Sequence, residues 1–75
     1  MKAYVLINVR AGKSRAVVQA LGKLPGVQSA NACWGRPDVF ALVEVESDKA
    51  LADTVLARVQ TLEGIESTDT HIVIE

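Results

Sequence analysis

One cysteine, one tryptophan, one tyrosine, one phenylalanine and one histidine are all that the 75 residues hold of these types. A lone Cys33 permits no internal disulfide, so packing has to hold the fold. A metal site draws three or four ligands from residue types that are scarce here, and no CxxC, HxxxH or paired-histidine spacing occurs, so neither metal nor other cofactor is expected. No His or Lys flanks Cys33 to activate a thiolate, and no catalytic residue is nominated. Gly12-Lys13-Ser14 resembles the tail of a phosphate loop, but the upstream position that requires glycine holds Ile7. No apolar segment approaches the roughly 20 residues of a membrane span, and no charged leader followed by an apolar run opens the chain. A cytoplasmic protein without membrane contact is expected. Neither sign of charge dominates: 8 Lys and Arg stand against 9 Asp and Glu, for a net charge of −1, and the cations are scattered. Direct nucleic-acid binding is therefore not expected.

What the chain has in abundance is aliphatic side chain, with 49% of residues hydrophobic. That is high for a domain which, at such a length, buries only roughly 60% of its unfolded surface. An oligomer is expected, with one apolar face covered by another subunit. The chain also says one thing twice: Leu24-Pro25-Gly26-Val27-Gln28-Ser29 returns as Leu62-Glu63-Gly64-Ile65-Glu66-Ser67, at an offset of 62 − 24 = 38 residues. Each copy follows an apolar helical pattern and leads into a strand pattern. Each is therefore read as the close of a helix, a Gly-containing turn and a returning strand. Residues 1–75 form a single domain of two fused βαβ halves.

Lys2 to Arg10 alternates with period two, setting Ala3, Val5, Ile7 and Val9 against Tyr4, Leu6, Asn8 and Arg10. After Ala11-Gly12-Lys13-Ser14, Val17, Leu21 and Leu24 recur at helical spacing, which predicts a helix to about Lys23. Val27 to Trp34 reads as a weaker strand, and Asp38 to Glu46 as a strong one with Val39, Ala41, Val43 and Val45 opposing Phe40, Leu42, Glu44 and Glu46. Their short connection implies an antiparallel hairpin. Ser47-Asp48 offers a helix cap, and Leu51, Val55, Val59 and Leu62 predict a second helix over about Asp48 to Gln60. Ile65 to Ile74 is the last strand. The order βαββαβ, with right-handed crossovers, predicts an α+β, ferredoxin-like, four-stranded antiparallel sheet of order 4-1-3-2 with two helices on one face. The helices are expected on the Val5, Ile7, Val9, Val39, Val43 and Val45 face. The opposite face then shows Tyr4, Leu6, Phe40 and Leu42, the predicted dimer interface. Covering roughly 500 Å² there at about 25 cal/mol per Å² contributes about 12 kcal/mol against the cost of association.

Two segments invite a functional reading. Trp34-Gly35-Arg36-Pro37-Asp38 crowds an aromatic, a flexible Gly, a cation and a carboxylate into one connection. Turn chemistry accounts for Gly, Pro and Asp but leaves Trp34 and Arg36 unexplained. Thr68 and Thr70 lie two apart and so share a face, beside Asp69 and His71 on the other. Edge strands are often threonine-rich for solubility alone, yet two co-facing hydroxyls also suit a carboxylate.

Taken together, Val9-Arg10-Ala11-Gly12-Lys13, the Leu-Pro-Gly-Val turn, Gly35-x-x-Asp38, Glu66-Ser67-Thr68-Asp69-Thr70 and Ile72-Val73-Ile74 resemble, in order and spacing, the effector-binding (RAM) domain of the Lrp/AsnC transcription regulators. The resemblance covers essentially all 75 residues. Members usually carry an N-terminal helix-turn-helix, whereas the first strand here begins at Lys2, so the chain is expected to be a stand-alone form. The resemblance implies a homodimer formed through the sheets, dimers assembled into a ring of commonly four, and a small amino-acid effector held between dimers near the Gly-x-x-Asp hairpin. It implies full-length Lrp/AsnC regulators as co-assembly partners. Gly35 and Asp38 match the motif directly, Trp34, Arg36 and Pro37 are its variable positions, Thr68 and Thr70 match the hydroxyl positions, and Val9 is a weaker candidate. In such a site Asp38 attracts the α-ammonium while backbone N–H groups and the threonines receive the α-carboxylate.

Two other classes remain open. Dimeric ferredoxin-like proteins include cofactor-free mono-oxygenases that use Asn, Trp and His in a cavity, and this chain has Asn8, Trp34 and His71. A ligand-free assembly module rests on the apolar faces alone.

Overall fold

A computed structural model describes all 75 residues, the side chain of Thr54 excepted. Period-two alternation forms β1 (Lys2–Val9), whose residues are buried at every second position. β3 (Val39–Glu44) repeats that pattern, while β2 (Val27–Ala32) and β4 (Ile65–Ile72) bury no residue completely. The two alternating strands take the centre, in the order β2-β3-β1-β4, which is the expected 4-1-3-2 arrangement. All three pairings are antiparallel. Strands buried on one face and adjoined on both sides need regular β-branched alternation; edge strands tolerate polar residues.

α1 (Ser14–Leu21) packs over β2 and β3, pressing Val17 and Leu21 into the core. The second helix runs as α2 (Asp48–Ala50), a π-helical stretch (Leu51–Leu56) and α3 (Ala57–Val59). Its start is capped by Ser47, whose hydroxyl accepts the Ala50 N–H at 3.1 Å. Leu51, Val55 and Val59 of this helix are all buried.

The core consists of those helix residues with Ala3, Val5, Ile7, Val9, Val39, Ala41 and Val43. The predicted helix-facing set is thus enclosed except for Val45, which lies past the end of β3 and is half-buried. The two copies of the repeat are structurally equivalent. Leu24 N–H donates to Leu21 O at 3.0 Å and Leu62 N–H to Val59 O at 3.1 Å, each closing a helix. Gly26 and Gly64 then take φ values of 91° and 97°, and their carbonyls accept the N–H groups of Glu44 (2.8 Å) and Arg10 (2.7 Å). Each thereby fastens a returning edge strand to a central one. Among the described residues, no helix is long and apolar enough to cross a membrane.

On the open face Tyr4 stands opposite Leu42 and Leu6 opposite Phe40, a contiguous apolar square. Ser29 and Asn31 of β2 flank it on one side, and Asp69 and His71 of β4 on the other. Tyr4 and Phe40 keep 48% and 39% of their surface exposed, unusual for aromatics in a chain with so few.

Candidate functional site

The hairpin between β2 and β3 is shaped by Asp38. Its N–H donates to Ile7 O at 2.9 Å and its carbonyl accepts Cys33 N–H at 2.7 Å, the last rungs before the strands part. The next free donor on β1, Val9 N–H, reaches the Asp38 carboxylate instead, at 2.8 Å to Oδ2. The side chain thus substitutes for a ladder carbonyl where the backbone turns away. For this reason β2 stops at Ala32 and β3 starts at Val39, short of the Trp34 and Asp38 limits the alternation suggests.

Arg36 crosses from the hairpin tip to both β1 and β4. Nη1 lies 3.2 Å from Asp38 Oδ2 and donates to Val9 O at 3.4 Å, and Nη2 donates to Glu66 Oε1 at 2.8 Å. Glu66 is placed for this by the irregularity where β4 pairs with the end of β1, between Asn8 and Val9. The hydrogen bond to Glu66 is the main reason the Arg36 guanidinium holds its proton above the ordinary arginine value; burial opposes this, and the nearby charges of Asp38 and Glu66 add to it. One cation between two carboxylates leaves the cluster with a formal charge of +1 − 2 = −1. Such a cluster favours a second cation, and an ammonium is the simplest.

The candidate residues fall into two places. Arg36, Asp38 and Val9 converge, with Gly35 at φ 99° and Trp34 projecting beyond them into solvent. Thr68 and Thr70 sit on the helix side of β4, opposite the buried Ile7 and Val5. Thr68 Oγ1 accepts a bond from Gln60 Nε2 at 2.9 Å. Thr70 lies four positions along β1 from Val9, or about 13 Å by strand rise, so one protomer does not bring it to Asp38. Glu66 was not among the candidates. Its position in the repeat is matched by Gln28, and only the β1–β4 register, which the sequence does not display, makes it a partner of Arg36. Asn8, Trp34 and His71 share no cavity: Asn8 Nδ2 donates to Ser67 Oγ at 2.9 Å, His71 pairs with Asp69 at 3.0 Å, and Trp34 is fully exposed. Among the described residues no group of three or more His, Cys, Asp or Glu stands close enough to hold a metal.

The family description "Lrp/AsnC ligand binding domain" matches residues 2–75. The chain belongs to that family. An uncharacterized HTH-type transcriptional regulator of Pyrococcus abyssi is 34% identical over 71 residues, a stretch that covers 95% of this chain and 45% of the regulator. The chain therefore spans about half the length of the curated relatives it matches. A crystal structure of a Thermus thermophilus protein superposes with a TM-score of 0.91 at 32% identity, covering 99% of this chain and 92% of that one. A transcriptional regulator from Neisseria meningitidis, solved as a complex with L-Met, shares the fold with a TM-score of 0.83 at 22% identity, over 99% of this chain and 49% of its own.

Proposed function

We propose that this Lrp/AsnC ligand-binding domain is a non-enzymatic amino-acid sensor whose output is its state of assembly, acting in the cytoplasm on itself or on full-length regulators of its family. The observation that carries this reading is the family match over residues 2–75. The hairpin geometry supports it: Asp38, Arg36 and Glu66 leave one negative charge for an α-ammonium beside the end of β1. The complex of the Neisseria meningitidis regulator with L-Met supports the ligand class. Because Thr70 lies about 13 Å along the strand from Val9 and Thr68 Oγ1 is already engaged by Gln60 within the protomer, we place the effector between copies. One copy contributes the hairpin residues Trp34, Gly35, Arg36 and Asp38 with Val9, and the next contributes the threonine edge of β4. A ligand held across such a boundary stabilises the assembly that creates it.

Dimers form through Tyr4, Leu6, Phe40 and Leu42 in this reading, and dimers associate further into a ring. The test is light-scattering mass and melting temperature with each of the twenty amino acids, on wild type and on Glu66→Gln, which keeps a hydrogen-bonding partner for Arg36. The sensor reading expects one or a few amino acids to change mass or melting temperature, and Glu66→Gln to weaken that response. A particle that no amino acid changes makes the chain a ligand-free assembly module.

A further inference from the structure

Arg36 is committed to its own carboxylates. Nη1 lies 3.2 Å from Asp38 Oδ2 and donates to Val9 O at 3.4 Å, and Nη2 donates to Glu66 Oε1 at 2.8 Å. A free guanidinium on a loop is a ready receptor for an acidic ligand, but one held on both sides by carboxylates offers such a ligand repulsion instead. The second oxygens are differently placed. Asp38 Oδ1 and Glu66 Oε2 accept no hydrogen bond among the described residues, and both side chains reach solvent, at 20% and 47% of their surface. No other cation stands in the hairpin, and Arg10, the next along β1, is drawn to Glu63 at 3.9 Å.

Trp34 adds a second, independent attraction for positive charge. It precedes Arg36 by two residues, is fully exposed, and is required neither by the turn nor by the core. Of the aromatic rings, the indole face is the strongest receptor for an ammonium or guanidinium. Two open carboxylate oxygens and one open π face therefore stand together on the rim of the site.

Charge balance separates the classes of effector. The cluster has a formal charge of −1. A zwitterion with a neutral side chain leaves that charge uncompensated, an acidic amino acid doubles it, and an amino acid with a cationic side chain cancels it. We propose that the effector is an amino acid of the last class, of the lysine, ornithine or arginine kind. Its α-ammonium takes Asp38, while its side-chain cation takes Glu66 and lies along the face of Trp34. Because both carboxylates hold one guanidinium, a single small molecule with two cationic groups spans them. This inference rests on the sensor reading and adds the chemical class of the ligand, with Glu66 as the residue that selects it.

The test is calorimetric titration of the native protein with matched pairs, lysine against norleucine and arginine against citrulline, in which the charge is removed at nearly constant shape, and with glutamate as the opposite sign. At least one cationic amino acid is expected to bind about ten-fold or more tighter than its neutral counterpart, an advantage that shrinks as salt is raised. Glu66→Gln should abolish the advantage while leaving the neutral counterpart's binding within about two-fold, whereas Asp53→Asn, an equal charge change at a carboxylate paired with Lys49, preserves it. Trp34→Leu, at an exposed position that the fold does not use, should weaken the cationic ligand about two- to five-fold. Norleucine, citrulline or glutamate binding as tightly as the cationic ligands, or an advantage that survives Glu66→Gln, overturns the proposal and leaves the sensor reading standing. No heat and no change in melting temperature with any of the twenty amino acids removes both.

Discussion

Two glycines with nearly the same backbone angle carry different costs of replacement. Gly64 (φ 97°) has Lys13 Cβ only 2.8 Å from where its own Cβ would stand, whereas Gly35 (φ 99°) faces open space. Gly35→Ala meets only the left-handed backbone penalty of about 1–2 kcal/mol, and Gly64→Ala adds a clash with the start of α1, for about 2–4 kcal/mol. Urea unfolding of both variants checks the order. Asp38 is a second residue whose structural role precedes any ligand. Asp38→Ala leaves Val9 N–H without its acceptor and is expected to cost about 1–3 kcal/mol, so a lost response in that variant is interpretable only beside its measured stability. Arg36 gives a pH expectation. Its folded-state pKa is raised, so the stability this adds is fully present below the unfolded value and lost only as pH climbs through the folded one, in strong alkali. The melting difference between wild type and Arg36→Met should then be the same at about pH 7 and about pH 9.

At the scale of elements, what the sequence displayed was periodicity, and what it concealed was register. β1 and β3 were legible because each alternates a buried small or β-branched aliphatic residue with an exposed or partly exposed one, and the repeat was legible because both copies close a helix and turn through a left-handed glycine. The termini of β2 and β3 were not, since Asp38 ends the ladder with its side chain. Nor was the π stretch over Leu51–Leu56, because an apolar stripe at a spacing of four residues reads the same on an α-helix. The candidate site was half legible: the hairpin residues adjoin in sequence, but Glu66 and the separation of Thr70 from Asp38 depend on how β4 slides along β1. One element prediction follows from the cap. Ser47→Ala removes the acceptor for Ala50 N–H and should lower stability by about 1 kcal/mol, measured by thermal unfolding.

For the whole molecule the open sheet face is decisive. Its apolar square with polar flanks has the anatomy of an interface core and rim. Phe40→Lys places a charge in the square without touching the core, because Phe40 faces away from both helices. The expected outcome is a particle reduced to the protomer mass with helix and strand content intact, read by light scattering and circular dichroism.

The sheet order has one more consequence. β1 pairs with β3 and β4, and β2 pairs with β3, so every ladder joins the first βαβ half to the second and none lies within a half. Neither half has a hairpin of its own to nucleate on, and each is the only template on the chain for the other. A nick in the hairpin tip should therefore give two fragments, about residues 1–34 and 35–75, that are unstructured alone and fold on mixing, which makes the domain a natural two-piece complementation system.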